Sequence, residues 1–385
     1  MRKFQTLECD DPLNNIDLEE SRNISTGLGA TILCPLDDGW VLYYPASDSL
    51  LILNATGKMV WELWHKGYRE EEISSVIAHQ FGLSEECVLP DVGPVLAELE
   101  KAGLPSDATE RFGFSLTSNA GHVATNGHSE LGDCGTYQFG GRHIQIRCSA
   151  SEVLRAFLCR FRHRVVDNRD GTDVLQVIES SSGYRLTFEE IVVDEVTTTA
   201  AMISRVFQFL MRIEHPNSSF LAYCHAAAVC RGSHTLLMPG GSGTGKSTLT
   251  GFLLANGFAY LGDDVIAVGD DQAALLPLPT CLSIKSGSWS VLEPIYPVLA
   301  ELHTFKHFGR LLRYVEPQGN YEVMPAAGAP SAIVFPAYQA GALTRVQSLR
   351  PLQTMIRFTG APAALLKPAT QGKLERLLHF VKQTP

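Results

Sequence analysis

The strongest constraint on the fold is the octapeptide 240–247, Gly-Gly-Ser-Gly-Thr-Gly-Lys-Ser, which fits the pattern G-x-x-x-x-G-K-[ST] in full. An apolar stretch, 235–238, precedes it, and a stretch with one apolar face, 247–254, follows it. Glycines permit the positive φ angles that turn successive N–H groups inward, and the N-terminus of the next helix adds positive potential. The sequence therefore predicts a strand, a phosphate-binding loop and a helix.

Two side chains of this loop have separate expected roles. Lys246 would place its charge on the β- and γ-phosphates of a nucleotide, and Ser247 would coordinate Mg²⁺. ATP and Mg²⁺ are thus the expected cofactors. Lys285 is a further candidate for a phosphate contact, with a solvated surface lysine as the alternative. The predicted nucleotide-binding residues are Gly240, Gly241, Ser242, Gly243, Thr244, Gly245, Lys246, Ser247, Thr248 and Lys285.

A pair of adjacent acids, Asp263 and Asp264, follows the apolar segment 259–262 at 17 residues from Lys246. One short helix and one returning strand fill that interval, so both carboxylates are expected beside the loop. One would hold Mg²⁺, and the other would accept a proton from an attacking hydroxyl. His225 heads the apolar segment 226–229, which is expected beside the loop strand. A solvated turn and a structural histidine are the respective alternatives.

The stretch from His225 to Val265 resembles the catalytic domain of HPr kinase/phosphorylase. It has that family's H-A-x-x-V strand, its G-x-S-G-x-G-K-S loop and an acid pair at short spacing. The family shares its fold with phosphoenolpyruvate carboxykinases, so the resemblance implies a loop set in a mixed sheet. It also implies phosphorylation of a protein or peptide hydroxyl by Mg²⁺-ATP.

The same resemblance implies a role for each site residue. Lys246 would clamp the phosphates, Ser247 and Asp264 would hold Mg²⁺, Asp263 would be the catalytic base, and His225 would support that base. Thr248 stands where the family usually has Glu, and the family's later glycine- and alanine-rich signature is missing. Reverse phosphorylase activity is therefore not expected.

The first hundred residues have a different pattern. Three short apolar segments with turn residues between them predict strands at 31–36, 40–44 and 50–53. Three helical patterns follow, with Thr56 as the expected N-cap of the first, Gly82 after the second, and a third that starts near Asp91 and stops at Gly103. A small sheet followed by three helices has the proportions of a winged-helix domain.

This N-terminal unit resembles the PqqD-like recognition element of systems that modify ribosomally synthesised peptides. The matching segments are 40–44, 50–57, 61–63, 97–99 and 103–104. The resemblance implies that residues about 40–104 bind the leader of a precursor peptide as an extra strand. Strand 50–53 would be the sheet edge, and helix 91–101 would face it. The alternative is that Trp61, Trp64 and Leu96 are simply core residues.

Charge and cysteine content limit the partners and the compartment. Residues 1–105 hold 7 basic and 18 acidic residues, whereas the whole chain has a net charge of -10. A clustered basic surface is missing, so nucleic acid is not an expected partner. The acidity keeps this unit soluble or steers a basic peptide. No apolar run is long enough for a membrane span, and nine cysteines without C-x-x-C spacing predict reduced thiols in the cytoplasm.

Together these patterns predict an α/β (α+β) chain with three regions: a leader-binding domain at 1–105, a β-rich lobe with connecting helices at 106–215, and a P-loop catalytic domain at 216–385. The expected activity is ATP-dependent phosphorylation of a Ser or Thr hydroxyl in a captured precursor peptide. The main alternative is a non-catalytic, ATP-gated peptide carrier, and a carboxykinase-like enzyme for small molecules is a third. Kinases of this type assemble through the catalytic domain, so a homo-oligomer is plausible.

Overall fold

The computed structural model of the chain describes residues 31–44, 47, 49–104, 132–149, 158–167, 172–307, 309–317, 328–360, 363–365 and 370–385. The linker expected at 105–110 lies outside these residues. Within them the chain forms five sheets with packed helices, which confirms the expected α+β class. Two of these sheets are mixed and three are antiparallel. None of the described helices combines the length and the apolar composition needed to cross a bilayer.

The N-terminal unit is an antiparallel sheet followed by three helices, as expected. Its elements are β1 (Ile32–Leu36), β2 (Gly39–Tyr44), β3 (Ser49–Leu53), α1 (Ala55–His65), α2 (Glu70–Phe81) and α3 (Glu85–Lys101). The strands lie in the order β1-β2-β3. α2 ends at Gly82, whose φ of +67° is left-handed and suits glycine. The cap of α1 is Asn54, not Thr56, because the side-chain oxygen Oδ1 of Asn54 accepts from the Gly57 N–H at 2.8 Å.

The expected start of the third helix near Asp91 is wrong. α3 begins directly after Ser84, with Pro90 and Pro94 both inside it. Each proline removes one backbone hydrogen bond and crowds the preceding turn. The apolar residues Val88, Val92, Leu96 and Leu99 recur every three or four positions and are buried in one core with α1 and α2. That packing outweighs the cost of the prolines.

A six-stranded sheet occupies the middle of the chain. Its strands are β4 (Gly132–Phe139), β5 (Arg142–Cys148), β6 (Val165–Val166), β7 (Asp173–Ser180), β8 (Gly183–Phe188) and β9 (Ile191–Val196). They lie in the order β6-β4-β5-β7-β8-β9, and helix α4 (Thr199–Glu214) covers the sheet with Met202, Val206 and Leu210 in a shared core. A 3-10 helix, Cys159–Arg164, extends from this region towards the phosphate-binding loop.

The remaining elements form the loop-bearing region. Its strands are β10 (Phe220–Cys224), β11 (Ala226–Arg231), β12 (His234–Pro239), β13 (Ala259–Gly262), β14 (Ile266–Gly269), β15 (Leu275–Pro277), β16 (Leu282–Lys285), β17 (Phe305–His307), β18 (Arg310–Val315), β19 (Ala332–Ile333) and β20 (Ala363–Leu365). Its helices are α5 (Lys246–Ala255), α6 (Trp289–Leu292), α7 (Pro351–Gly360) and α8 (Gln371–Gln383). The sheets have the orders β13-β11-β12-β19, β15-β14-β10-β20 and β16-β18-β17.

Strand direction brings the predicted site to one sheet edge. β11 lies between β12 and β13 and is antiparallel to both, while β19 is parallel to β12. The ends of β12 and β13 and the start of β11 therefore share an edge. Since the loop follows β12, the acids follow β13 and His225 precedes β11, the mixed sheet places all three together.

The N-terminal sheet is buried on both faces. Leu51 and Leu53 pack with the helices α1–α3, whereas Leu50 and Ile52 pack with a core that includes α7 and α8. The turn between β1 and β2 docks on those C-terminal helices through its acids. Asp37 pairs with Lys382 at 2.6 Å. The Asp38 carboxylate accepts from the Leu352 N–H at 2.9 Å, so it caps α7 across the domain boundary.

Candidate functional site

The phosphate-binding loop has the backbone that its glycines predict. Gly243 and Gly245 have φ angles of +92° and +98°. Lys246 is only 6% exposed, and its ammonium donates to the carbonyls of Gly240 at 2.5 Å and Gly241 at 3.1 Å. Burial lowers the pKa of Lys246, while the charge of Asp263 acts in the opposite direction. The ammonium is thus held inside the loop, where a β- or γ-phosphate would meet it.

The first acid of the pair is joined directly to the loop. Ser247 Oγ donates to Asp263 Oδ2 at 2.8 Å. Asp263 is fully buried, and burial, reinforced by the charge of Asp264, raises its pKa to about 6. Its second oxygen, Oδ1, is buried and has no hydrogen-bond donor among the described residues. A buried carboxylate oxygen of this kind is satisfied by a bound cation or donor.

The second acid is held by other groups. Asp264 Oδ2 lies 3.3 Å from Arg160 Nε, and the two side chains are 18% and 13% exposed. Burial alone would raise the pKa of Asp264, but the positive charges around it, of which Arg160 contributes most, together outweigh burial and keep the pKa below its usual value. Asp264 also has a φ of +77°, which costs energy for a residue with a Cβ. Such strain persists where the surrounding contacts fix it, as Arg160 does here.

His225 is fixed by the backbone of Asp264. Its Nδ1 lies 2.9 Å from the Asp264 carbonyl oxygen, which can only accept a hydrogen bond. The proton is therefore on Nδ1, and Nε2 of the neutral ring keeps its lone pair. Burial, reinforced by the charge of Lys246, lowers the pKa of His225, so the ring is neutral at pH 7. The His225 carbonyl in turn accepts from the Gly240 N–H at 3.2 Å.

A second group of cations reaches the tip of the loop. Lys285 Nζ donates to Ser242 Oγ at 2.7 Å, and Arg310 Nη1 donates to the same oxygen at 2.8 Å. The hydroxyl of Thr248 lies 2.6 Å from Ser288 Oγ. The structure thus brings Lys285 to the loop and pairs the side chain of Thr248 with Ser288.

The sequence left two basic residues of the site unidentified. Arg160 belongs to the 3-10 helix Cys159–Arg164, and Arg310 begins β18 in a hairpin; both are distant in sequence from the loop. The only local signal was the basic run of 160–164, in which three arginines and a histidine occur within five residues. Likewise, Ser247 meets Asp263 in the structure and not Asp264, with which the resemblance had grouped it.

The donor set fits Mg²⁺. The Ser247 hydroxyl and the Asp263 carboxylate are hard oxygen ligands, and the orphaned Asp263 Oδ1 is available. Within the described ranges no group of three or more His, Cys, Asp or Glu side chains could hold a metal by itself. Mg²⁺ commonly takes one or two carboxylates and completes its shell with water and substrate phosphates, so a site of this size is sufficient.

β3 is one of the two edge strands of the N-terminal sheet. In the described part of the chain β3 pairs with β2 alone. Leu51 on β3 and Val95 on α3 are half-buried and border the same apolar core. The Ser47 hydroxyl donates to the carbonyl of Ala102, which ties the end of α3 to the β2–β3 turn. The edge strand and the third helix therefore belong to one rigid unit.

Comparisons with known proteins identify this N-terminal domain. Residues 39–104 match the family model described as coenzyme PQQ synthesis protein D (PqqD). A solved structure described as "TbiB1 in Complex with the TbiA(beta) Leader Peptide" is similar at 26% identity; the match covers 21% of this chain and 94% of that one, with a TM-score of 0.19. No match to a curated protein was found. Residues 39–104 thus form a PqqD-like domain.

Proposed function

We propose that the protein is an ATP-dependent kinase that phosphorylates a hydroxyl of a precursor peptide captured by its PqqD-like domain. The observation that carries the proposal is the hydrogen bond from Ser247 to Asp263, which unites the phosphate-binding loop and the acid pair in one centre. Nucleotide binding alone needs no second, separately fixed carboxylate, whereas Asp264 is held in place by Arg160. A second acid is what proton removal from an acceptor hydroxyl requires.

In the proposed step, a Ser or Thr hydroxyl oxygen of the peptide attacks the γ-phosphorus of ATP. A new P–O bond forms, the bond from the γ-phosphorus to the β,γ-bridging oxygen breaks, and its electron pair leaves with ADP. The hydroxyl proton passes to a carboxylate of the acid pair. Lys246 holds the phosphates, and Mg²⁺ bound by Ser247 and Asp263 would neutralise charge on them.

The contacts support an exchange of the two acid roles that the resemblance implied. Ser247 is bonded to Asp263, so these two residues form the metal side. Asp264 is left as the proton acceptor, kept ionised by Arg160. His225 positions Asp264 through the backbone carbonyl and adds no charge, since its ring is neutral.

The PqqD-like domain supports the choice of a peptide as substrate. Such elements bind an extended peptide beside an edge strand, and β3 is an edge with α3 packed in the same unit. Docking of the β1–β2 turn on α7 and α8 fixes this domain relative to the kinase region. Tethering a leader there raises the local concentration of the attached acceptor at the loop.

The direct test incubates the protein with Mg²⁺-ATP and with candidate precursor peptides, chosen from short open reading frames that neighbour its gene. Mass spectrometry should detect an increase in the mass of the peptide that equals one added phosphoryl group. The gain should vanish with Asp263→Asn and with Asp264→Asn and persist with Asp271→Asn, an exposed acid outside the site. A peptide that gains no mass while its affinity still changes with ATP would instead favour a non-catalytic carrier.

Leader capture is tested separately, by the affinity of the full-length protein for the isolated leader. Leu51→Asp or Val95→Asp should weaken binding, because each places a charge beside the apolar edge of the proposed groove. Val76→Asp on α2, where the side chain is 38% exposed, is the matched control. Equal affinities for all three variants and the parent would refute capture of the leader at this edge. That result would leave the proposed phosphoryl transfer at the loop unaffected.

A further inference from the structure

Ser242, at the tip of the phosphate-binding loop, is the meeting point of two cations from another sheet. Lys285 ends β16 and Arg310 begins β18, and these strands are antiparallel neighbours. Both side chains donate to Ser242 Oγ, at 2.7 and 2.8 Å. Ser242 and Arg310 are exposed and Lys285 is half-exposed, so a ligand can reach the cluster.

This arrangement concentrates positive charge at the tip of the loop. Two positive charges that share one oxygen neighbour repel each other. Burial, together with the charge of Arg310, lowers the pKa of Lys285, and the charges of Asp264 and Asp263 offset this only in part. Neither cation forms an ion pair with a carboxylate in the described part of the chain. Because Ser242 Oγ already accepts two hydrogen bonds, its own hydrogen is free to donate. The cluster therefore offers donors and positive charge to a ligand rich in acceptors.

The position of Lys246 identifies which part of a nucleotide would lie there. Its ammonium contacts the carbonyls of Gly240 and Gly241, directly before Ser242. A lysine at this place in the motif reaches the β- and γ-phosphates. The cluster is thus at the terminal-phosphate end of the site, away from the sugar and the base.

We propose that Ser242, Lys285 and Arg310 form a clamp for the γ-phosphoryl group of ATP. The inference rests on the proposed function. It adds three side chains that would distinguish ATP from ADP. The planar guanidinium of Arg310 and the ammonium of Lys285 would stabilise the charge that spreads over the equatorial oxygens during transfer. ADP lacks the group that the clamp would hold.

The test compares binding of Mg²⁺-ADP with binding of the Mg²⁺ complex of the non-hydrolysable β,γ-imido analogue of ATP, by calorimetry on the full-length protein. Arg310→Met and Lys285→Met should each weaken the imido analogue by roughly 10- to 100-fold, the range of a charge-assisted hydrogen bond. ADP should change by less than about twofold, since it makes no contact with the clamp. Lys306→Met, an exposed lysine on the neighbouring strand β17, is the control and should change neither.

The outcomes separate the clamp from the nucleotide site. If the parent protein binds neither nucleotide, the proposed kinase site and the clamp both fail. If the parent binds both, and Arg310→Met loses the two equally or loses neither, the clamp alone is refuted. Arg310→Lys, which keeps the charge, should recover part of the discrimination. Unchanged thermal unfolding of the Arg310, Lys285 and Lys306 variants checks that their folds are intact.

Discussion

The hydroxyl of Ser247 donates to the carboxylate of Asp263 at 2.8 Å, across the two strands that end at one edge of the mixed sheet. The bond links the first turn of α5 to the end of β13. It leaves Asp264, the next residue, to a different partner, Arg160. The two acids are adjacent in sequence, yet they have different neighbours and oppositely shifted pKa values.

Substitutions of the two acids should therefore have different effects. Asp263→Asn should weaken Mg²⁺-dependent nucleotide binding by at least roughly tenfold, since it removes a metal-side oxygen charge. Asp264→Asn should retain that binding and lower phosphoryl transfer by about 10²- to 10⁴-fold. Asparagine tolerates the left-handed backbone of this position, so the fold should survive. Nucleotide titration with and without Mg²⁺ measures the first effect, and single-turnover transfer measures the second. The reverse pattern would assign Asp264 to the metal and Asp263 to proton removal, as the family resemblance implies.

Replacement of Arg160 should lower the free energy of unfolding. Arg160→Met leaves the Asp264 carboxylate partly buried without its cation, and breaking a buried pair in this way costs about 3–5 kcal/mol of unfolding free energy. Arg185→Met is the comparison, because its pair with Glu195 is 34% and 60% exposed and should contribute no more than about 1 kcal/mol. Urea unfolding of both variants measures the difference. Similar decreases in unfolding free energy for the two variants would show that the pair of Arg160 and Asp264 contributes no more than an exposed pair.

Stability should depend on pH through His163. Burial and the charge of Arg164 lower the pKa of His163 to about 4, below its ordinary value of 6.5. At this residue the unfolded chain thus binds more protons between these values, so the contribution of His163 to stability should fall as pH drops from about 6.5 towards 4, by up to about 3 kcal/mol. Asp263, whose pKa is raised, contributes with the opposite sign in this range, so the test is the difference between the profiles of the parent and of His163→Asn. That difference should change with pH, whereas the difference between the parent and His234→Asn, at an exposed strand end, should not. A constant difference between the parent and His163→Asn would contradict the prediction.

Domain docking should fail when Gly39 gains a side chain. A Cβ there would lie 2.7 Å from the Leu53 carbonyl oxygen and 2.8 Å from a methyl of Leu352 on α7. Gly39→Ala should cost about 1–3 kcal/mol and increase protease access to the boundary. Gly360→Ala, at the end of the same helix with open space around it, is the control. Hydrogen exchange in α7 that is unchanged by Gly39→Ala would argue against this contact.

The sequence by itself determined the features that depend on local backbone chemistry. The glycines of the loop, the apolar runs before and after it, and the turn residues of the N-terminal domain fixed the strands, the helices and the position of the phosphate-binding loop. The third helix was misplaced because core packing, which the sequence pattern does not weigh, tolerates Pro90 and Pro94.

Only the tertiary structure decided which charges share the site. Arg310 lies 68 residues from Ser242 in sequence and reaches the loop, and Arg160 comes from a separate region and reaches Asp264, in both cases through packing of distant elements. It also decided that Asp263 and not Asp264 meets Ser247, and that Asp38 caps α7 across the domain boundary. A side chain's direction at a strand end depends on the register and twist of its neighbours, and those are set by long-range burial that no local pattern records.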